Sequence, residues 1–117
     1  MLDKRNEPKR WPRGQKFTLS AEGADAEAAY RNVVVEARTS GRAALDAALA
    51  AWAGPRRVAP TDGIVLAELR GKRLGVPDLV RELEAAGIAA DEVRASLERL
   101  VAAGVVAPIP LASQLGS

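Results

Sequence analysis

The sequence predicts a mainly α chain with a small β component: a three-helix domain in the second half, carried behind a basic N-terminal arm. Three observations support this. Of the 27 Val, Ile and Leu residues, 20 lie at or after Val58, so a core stabilised at about 25 cal/mol per Å2 of buried apolar surface must be built mainly there. Three segments of helical apolar periodicity follow Pro60, each ended by glycine. Residues 1–16 carry six basic side chains against Asp3 and Glu7, while the remaining 101 residues hold 11 basic and 13 acidic ones. The chain therefore divides into a basic flexible arm (1–16), a helical or mixed extension (17–57) and the domain proper (58–117).

Taken in order, residues 1–16 contain two prolines, one glycine and no apolar periodicity, which reads as an extended or disordered arm. Phe17 to Ser20 alternates apolar and polar residues and suits a short strand. Ala24 to Arg38 is ambiguous, because its Ala and Glu favour helix whereas Val33, Val34 and Val35 favour strand; the balance leans to helix. Arg42 to Ala53 predicts a helix with Leu45, Leu49 and Trp52 on one stripe, stopped by Gly54-Pro55. Thr61 is placed to cap a helix whose apolar positions are Ile64, Val65 and Leu69. Pro77 and Asp78 suit the first turn of the next helix, with Val76, Leu79, Val80 and Leu83 inward and Gly87 closing it. The third helix spans about Ala90 to Ala103 on Val93, Leu97, Leu100 and Val101. After Gly104 the segment Val105 to Pro110 is extended, and its two prolines fit an edge strand.

The composition excludes several kinds of chemistry. With no Cys and no His, disulfides, thiolate metal sites, cysteine nucleophiles and histidine-based triads are all absent. Glu82 and Glu84 lie two apart on a helix and point to different faces, so they form no acid–base pair. The glycines match no phosphate-loop or dinucleotide spacing. No apolar run reaches the ~18 residues of a membrane span, and no signal-peptide pattern opens the chain. The expectation is a soluble, cytoplasmic, non-enzymatic protein without cofactor or metal.

The stretch Leu79 to Val106, with Leu97, Leu100, Gly104, Val105 and Val106 closing it, resembles the winged helix–turn–helix superfamily over roughly residues 58–110. That resemblance implies a fold; its members bind DNA, RNA, peptides or proteins. Only 13 residues follow Gly104, enough for one strand and an abbreviated wing. A looser similarity links residues 66–88, through Gly71 and Arg73, to leader-peptide-recognition domains, which take up a peptide by strand addition.

Two functional readings follow. In the first, the chain contacts nucleic acid, DNA in preference to RNA, as a regulator or a subunit of a nucleoprotein assembly. Lys4, Arg5, Lys9, Arg10, Arg13 and Lys16 would meet phosphates and Trp11 would stack on a base. Arg56, Arg57, Arg70, Lys72 and Arg73 would extend the cationic track, and Arg94 and Arg99 on the third helix would face guanines. Neutralising four or five phosphates predicts a log K against log salt slope near −4, at about −0.9 per contact. Against groove readout, the second and third helices together carry Asp78, Glu82, Glu84, Asp91, Glu92 and Glu98 against only Arg81, Arg94 and Arg99. In the alternative reading the chain is a protein- or peptide-binding adaptor with Leu45, Leu49 and Trp52 as its contact stripe. Homodimerisation is compatible with either.

Overall fold

The computed structural model describes residues 11–110 of the chain. Strand β1 (Lys16–Leu19) leads into helices α1 (Ala21–Ala37) and α2 (Arg42–Ala53). Helix α3 (Gly63–Leu69), strand β2 (Leu74–Gly75), helices α4 (Val76–Glu84) and α5 (Ala90–Ala102), and strand β3 (Val106–Pro108) follow. The strands form one antiparallel sheet in the order β2-β1-β3, so the N-terminal strand lies in the middle. A mostly helical chain with a small antiparallel sheet is compatible with a winged-helix-like arrangement.

Local chemistry accounts for the boundaries. The Ser20 hydroxyl accepts from the Gly23 N–H at 3.0 Å and donates to the Gly104 carbonyl at 2.6 Å, capping α1 and tying it to the end of α5. The three valines do not divert the segment to strand. Their helix-propensity cost is below about 0.7 kcal/mol per residue, and the surrounding alanines and the packing of α1 on α2 and α3 outweigh it. Helices α4 and α5 end in matching turns. The Ile88 N–H reaches back to the Leu83 carbonyl and the Val105 N–H to the Leu100 carbonyl, with Gly87 and Gly104 at φ 90° and 82°.

A single core joins the two halves of the sequence. Leu66, Leu69, Leu79, Leu97 and Leu100 are fully buried, and Phe17, Ala26 and Trp52 from before residue 58 belong to the same cluster. Helix α1 makes this possible by packing closely at two glycines. A Cβ at Gly23 would collide with the Val105 carbonyl, and one at Gly63 with the Tyr30 ring.

The structure departs from the sequence expectations at three places. Residues 11–15 are not a loose continuation of the arm. Trp11 packs edge-on against Phe17 with ring centroids 4.9 Å apart, and Gln15, 8% exposed, donates from Nε2 to the Lys16 and Ile109 carbonyls. Second, Thr61 does not cap α3: the adjacent Asp62 carboxylate accepts from the Ala59 N–H at 2.8 Å, because a 3-10 turn over Pro60–Asp62 precedes the helix. Third, Ser96, a polar residue outside the apolar stripe of the third helix, is buried and donates to Asp62 at 2.7 Å.

Candidate functional site

Asp62 organises the face on which α5 meets α3. It is 1% exposed, and its two oxygens accept from the Ala59 N–H, the Ser96 hydroxyl, and Arg99 through Nε at 2.9 Å and Nη2 at 2.7 Å. A buried carboxylate is tolerated only when its lone pairs are satisfied in this way. The hydrogen bond to Asp62 pushes the Arg99 guanidinium further up from its ordinary range. Arg99, itself partly exposed, is held on Asp62 by bidentate bonds, and Arg94 lies 3.8 Å from Asp91 in an exposed pair. Of the acidic residues on α4 and α5, Glu82, Glu84, Asp91 and Glu92 are exposed, while Asp78 is paired with Arg81 at 2.9 Å. The face that would enter a groove is negative, and one of its two candidate guanine contacts is committed to an internal bond.

The other cationic candidates are dispersed. Lys4, Arg5, Lys9 and Arg10 lie outside the described residues. Arg13 and Lys16 are exposed, and part of the Trp11 surface that a base would need is spent on the core. Arg70, Lys72 and Arg73 sit on an exposed turn at Gly71, φ 70°, where Lys72 pairs with Glu68 at 3.2 Å. The register Lys16↔Gly75 and Phe17↔Leu74 puts this turn at the opposite end of β1 from the arm, separated by a strand rising about 3.3 Å per residue. Arg56 donates to the Trp52 carbonyl at 2.7 Å with its guanidinium over the Trp52 ring, and Arg57 lines the same surface as Glu22 and Asp25.

The apolar stripe of α2 divides in two. Trp52 is 4% exposed, donates from Nε1 to the Ala26 carbonyl at 3.0 Å and packs 5.4 Å from Tyr30. Burial pushes the Tyr30 phenol up from its ordinary value, and the neighbouring Glu27 carboxylate adds to the shift. Leu45 and Leu49 remain half-buried, outside the residues packed on the core. On α1, Val33 packs against the core, Val34 is half-buried and Val35 is 60% exposed. The hairpin of α1 and α2 thus carries valine and leucine surface left uncovered at its outer end. Sequence periodicity marked the α2 stripe, but it gave no sign that Trp52 would be buried and the leucines left out.

The sheet edge bears on peptide capture. The Ser20 N–H bonds the Val105 carbonyl and the Ile109 N–H bonds the Lys16 carbonyl. In an antiparallel ladder Val105, Ala107 and Ile109 therefore turn their backbone groups toward β1, and residues 106, 108 and 110 turn theirs outward. Two of these three are Pro108 and Pro110, which have no N–H, so this edge is chemically closed to strand addition beyond Val106.

Among the described residues no three carboxylates gather as a metal site, and no helix is long and apolar enough to cross a membrane. No family model matches the chain, and neither does any curated protein or solved structure.

Proposed function

We propose that this chain is a non-enzymatic, winged-helix-like adaptor that docks on a protein partner through the α1/α2 hairpin. The winged-helix reading rests on the order α3, β2, α4, α5, β3, with β1 from the N-terminal side as the third strand of the sheet. The observation that carries the docking reading is the split stripe of α2. Two leucines at helical spacing stay only partly buried and Val35 on α1 is exposed, although α2 itself buries Trp52 and Ala53. Exposed apolar surface of this kind, rimmed here by the Arg42–Asp46 ion pair, is characteristic of docking faces. Capture of a peptide on the β3 edge is disfavoured by its prolines, so the contact is made between side chains of helices.

A photo-cross-linking residue at position 49, compared with one at Glu82 on α4, tests this in cells of the source. Discrete heteromeric adducts from position 49 and none from position 82 support docking by the hairpin. Adducts from position 82 alone would move the interface to the helix–turn–helix face.

The second reading, phosphate contact through the basic arm, is favoured by the exposure of Arg13 and Lys16 where the arm joins the sheet. It predicts binding of mixed-sequence DNA or RNA with a log–log salt slope near −4 at about −0.9 per phosphate, largely lost on removing residues 1–10, which spares the packed Trp11 and Gln15. A flat salt dependence would sink it.

A further inference from the structure

A cleft of about 540 Å3 opens where the start of α1, the turn after α2 and the end of α5 meet. That volume falls within the roughly 300–1,000 Å3 of small-molecule sites. Its lining carries charges of both signs from separate segments: Glu22 and Asp25 on α1, and Arg56 and Arg57 beyond α2. Ala102 and Ala103 line it at the end of α5, and their short side chains leave the space open.

The four charges do not neutralise one another. Among the described residues Glu22, Asp25 and Arg57 form no ion pair or side-chain hydrogen bond. The arginine wall is nevertheless ordered. Arg56 is held by its bond to the Trp52 carbonyl and lies 5.6 Å from the Trp52 ring centroid. Arg57 has φ 63°, a left-handed conformation fixed by its N–H on the Gly54 carbonyl and by the Val58 N–H on the Ala53 carbonyl. Such a conformation is uncommon outside glycine, and it sets the direction in which the side chain leaves the backbone at the rim.

Charges of opposite sign that do not pair with each other match a ligand that carries both charges. A simple anion would meet Glu22 and Asp25, and a simple cation would meet the two guanidiniums. We propose that the cleft binds a free-ended di- or tripeptide as a zwitterion, its carboxylate against Arg56 and Arg57 and its ammonium against Glu22 and Asp25. Two extended residues reach about 7 Å, more than the roughly 4 Å of a direct ion pair that these side chains do not make. Because the charged groups stand at a solvent-exposed rim, each contributes modestly and binding is weak.

The test is an amide chemical-shift titration of the protein with Ala-Ala, alongside N-acetyl-Ala-Ala and Ala-Ala amide. The expected result is saturable shifts at Arg57, Ala102 and Ala103 with free Ala-Ala. Blocking either end, or the substitutions Arg57→Gln and Asp25→Asn, should each weaken binding about three- to fivefold, as for exposed charge pairs. Absence of saturable shifts with any of the three compounds overturns the proposal. So does equal binding of the blocked peptides, or binding unchanged in both variants, because either result removes the charge recognition on which it rests.

Discussion

Helices α2 and α5 are both amphipathic, but they use their stripes in opposite ways. Helix α5 buries Val93, Leu97 and Leu100 completely and turns even its polar residues Ser96 and Arg99 onto Asp62 of the neighbouring segment. Helix α2 fully buries only its C-terminal end, where Trp52 meets Ala26 and Tyr30, and leaves Leu45 and Leu49 partly buried. The difference lies in what stands opposite. Helix α5 packs against α3, α4 and β3, whereas α2 packs mainly against α1 and short 3-10 turns. A stripe shows that a helix has something to bury, and the topology determines whether the chain itself supplies the cover.

The comparison can be broken most severely at Asp62. Asp62→Ala removes a carboxylate that serves four donors and leaves the Arg99 guanidinium without its partner. Stranding the Ser96 hydroxyl and the Ala59 N–H costs about 1–3 kcal/mol each, the partly exposed Arg99 adds less because water reaches it, and urea unfolding should show the loss. A value near that of a surface substitution would mean that the α5 network is not what holds this face. Core truncation comes next. Leu97→Ala should cost about 2–5 kcal/mol, whereas Leu49→Ala should cost clearly less because the side chain is already half in water. Equal costs in the same denaturant series would erase the distinction between the two helices.

A smaller effect sharpens the account of the α1–α2 junction. Tyr30 is the single tyrosine of the chain, so its ionisation can be followed without interference by phenolate absorbance. Burial and Glu27 raise its pKa in the folded protein above the ordinary value. The unfolded chain then ionises first, so stability present below that ordinary value is lost as pH rises through the folded pKa. The titration midpoint should lie above that of a free tyrosine side chain and return toward it in denaturant. The smallest effect belongs to Arg94→Gln: its exposed pairing with Asp91 is worth at most about 1 kcal/mol, and the unfolding midpoint should barely move.

Much of the fold was legible locally. The bounds of α2 follow from its Ala-rich periodic stretch between Gly41 and Gly54, and α5 is outlined by Val93, Leu97 and Leu100 together with the Gly104 stop. The edge position of β3 was written in Pro108 and Pro110. The rest depends on partners distant in sequence. Asp62 looks like a turn residue until Arg99, 37 positions later, closes on it. Gly23 and Gly63 look like ordinary helix-weakening residues until Val105 and Tyr30 arrive against them. Nothing local tells that β1 will lie between β2 and β3, or that Trp11 will turn back onto Phe17. The charged cleft left no local signal at all, since its walls come from three separate segments.

The claim that the exposed α1/α2 surface is the working face is tested most directly by comparing three forms of the protein in cell extract: wild type, Leu49→Asp, and residues 11–117. Each form is first shown to be folded by its unfolding transition, and the bound species are identified at low and high salt. The account predicts that the truncated form retains the same protein partner at both salt concentrations and that Leu49→Asp loses it. Retention by Leu49→Asp, together with loss on truncation or at high salt, would contradict it and transfer the function to the basic arm.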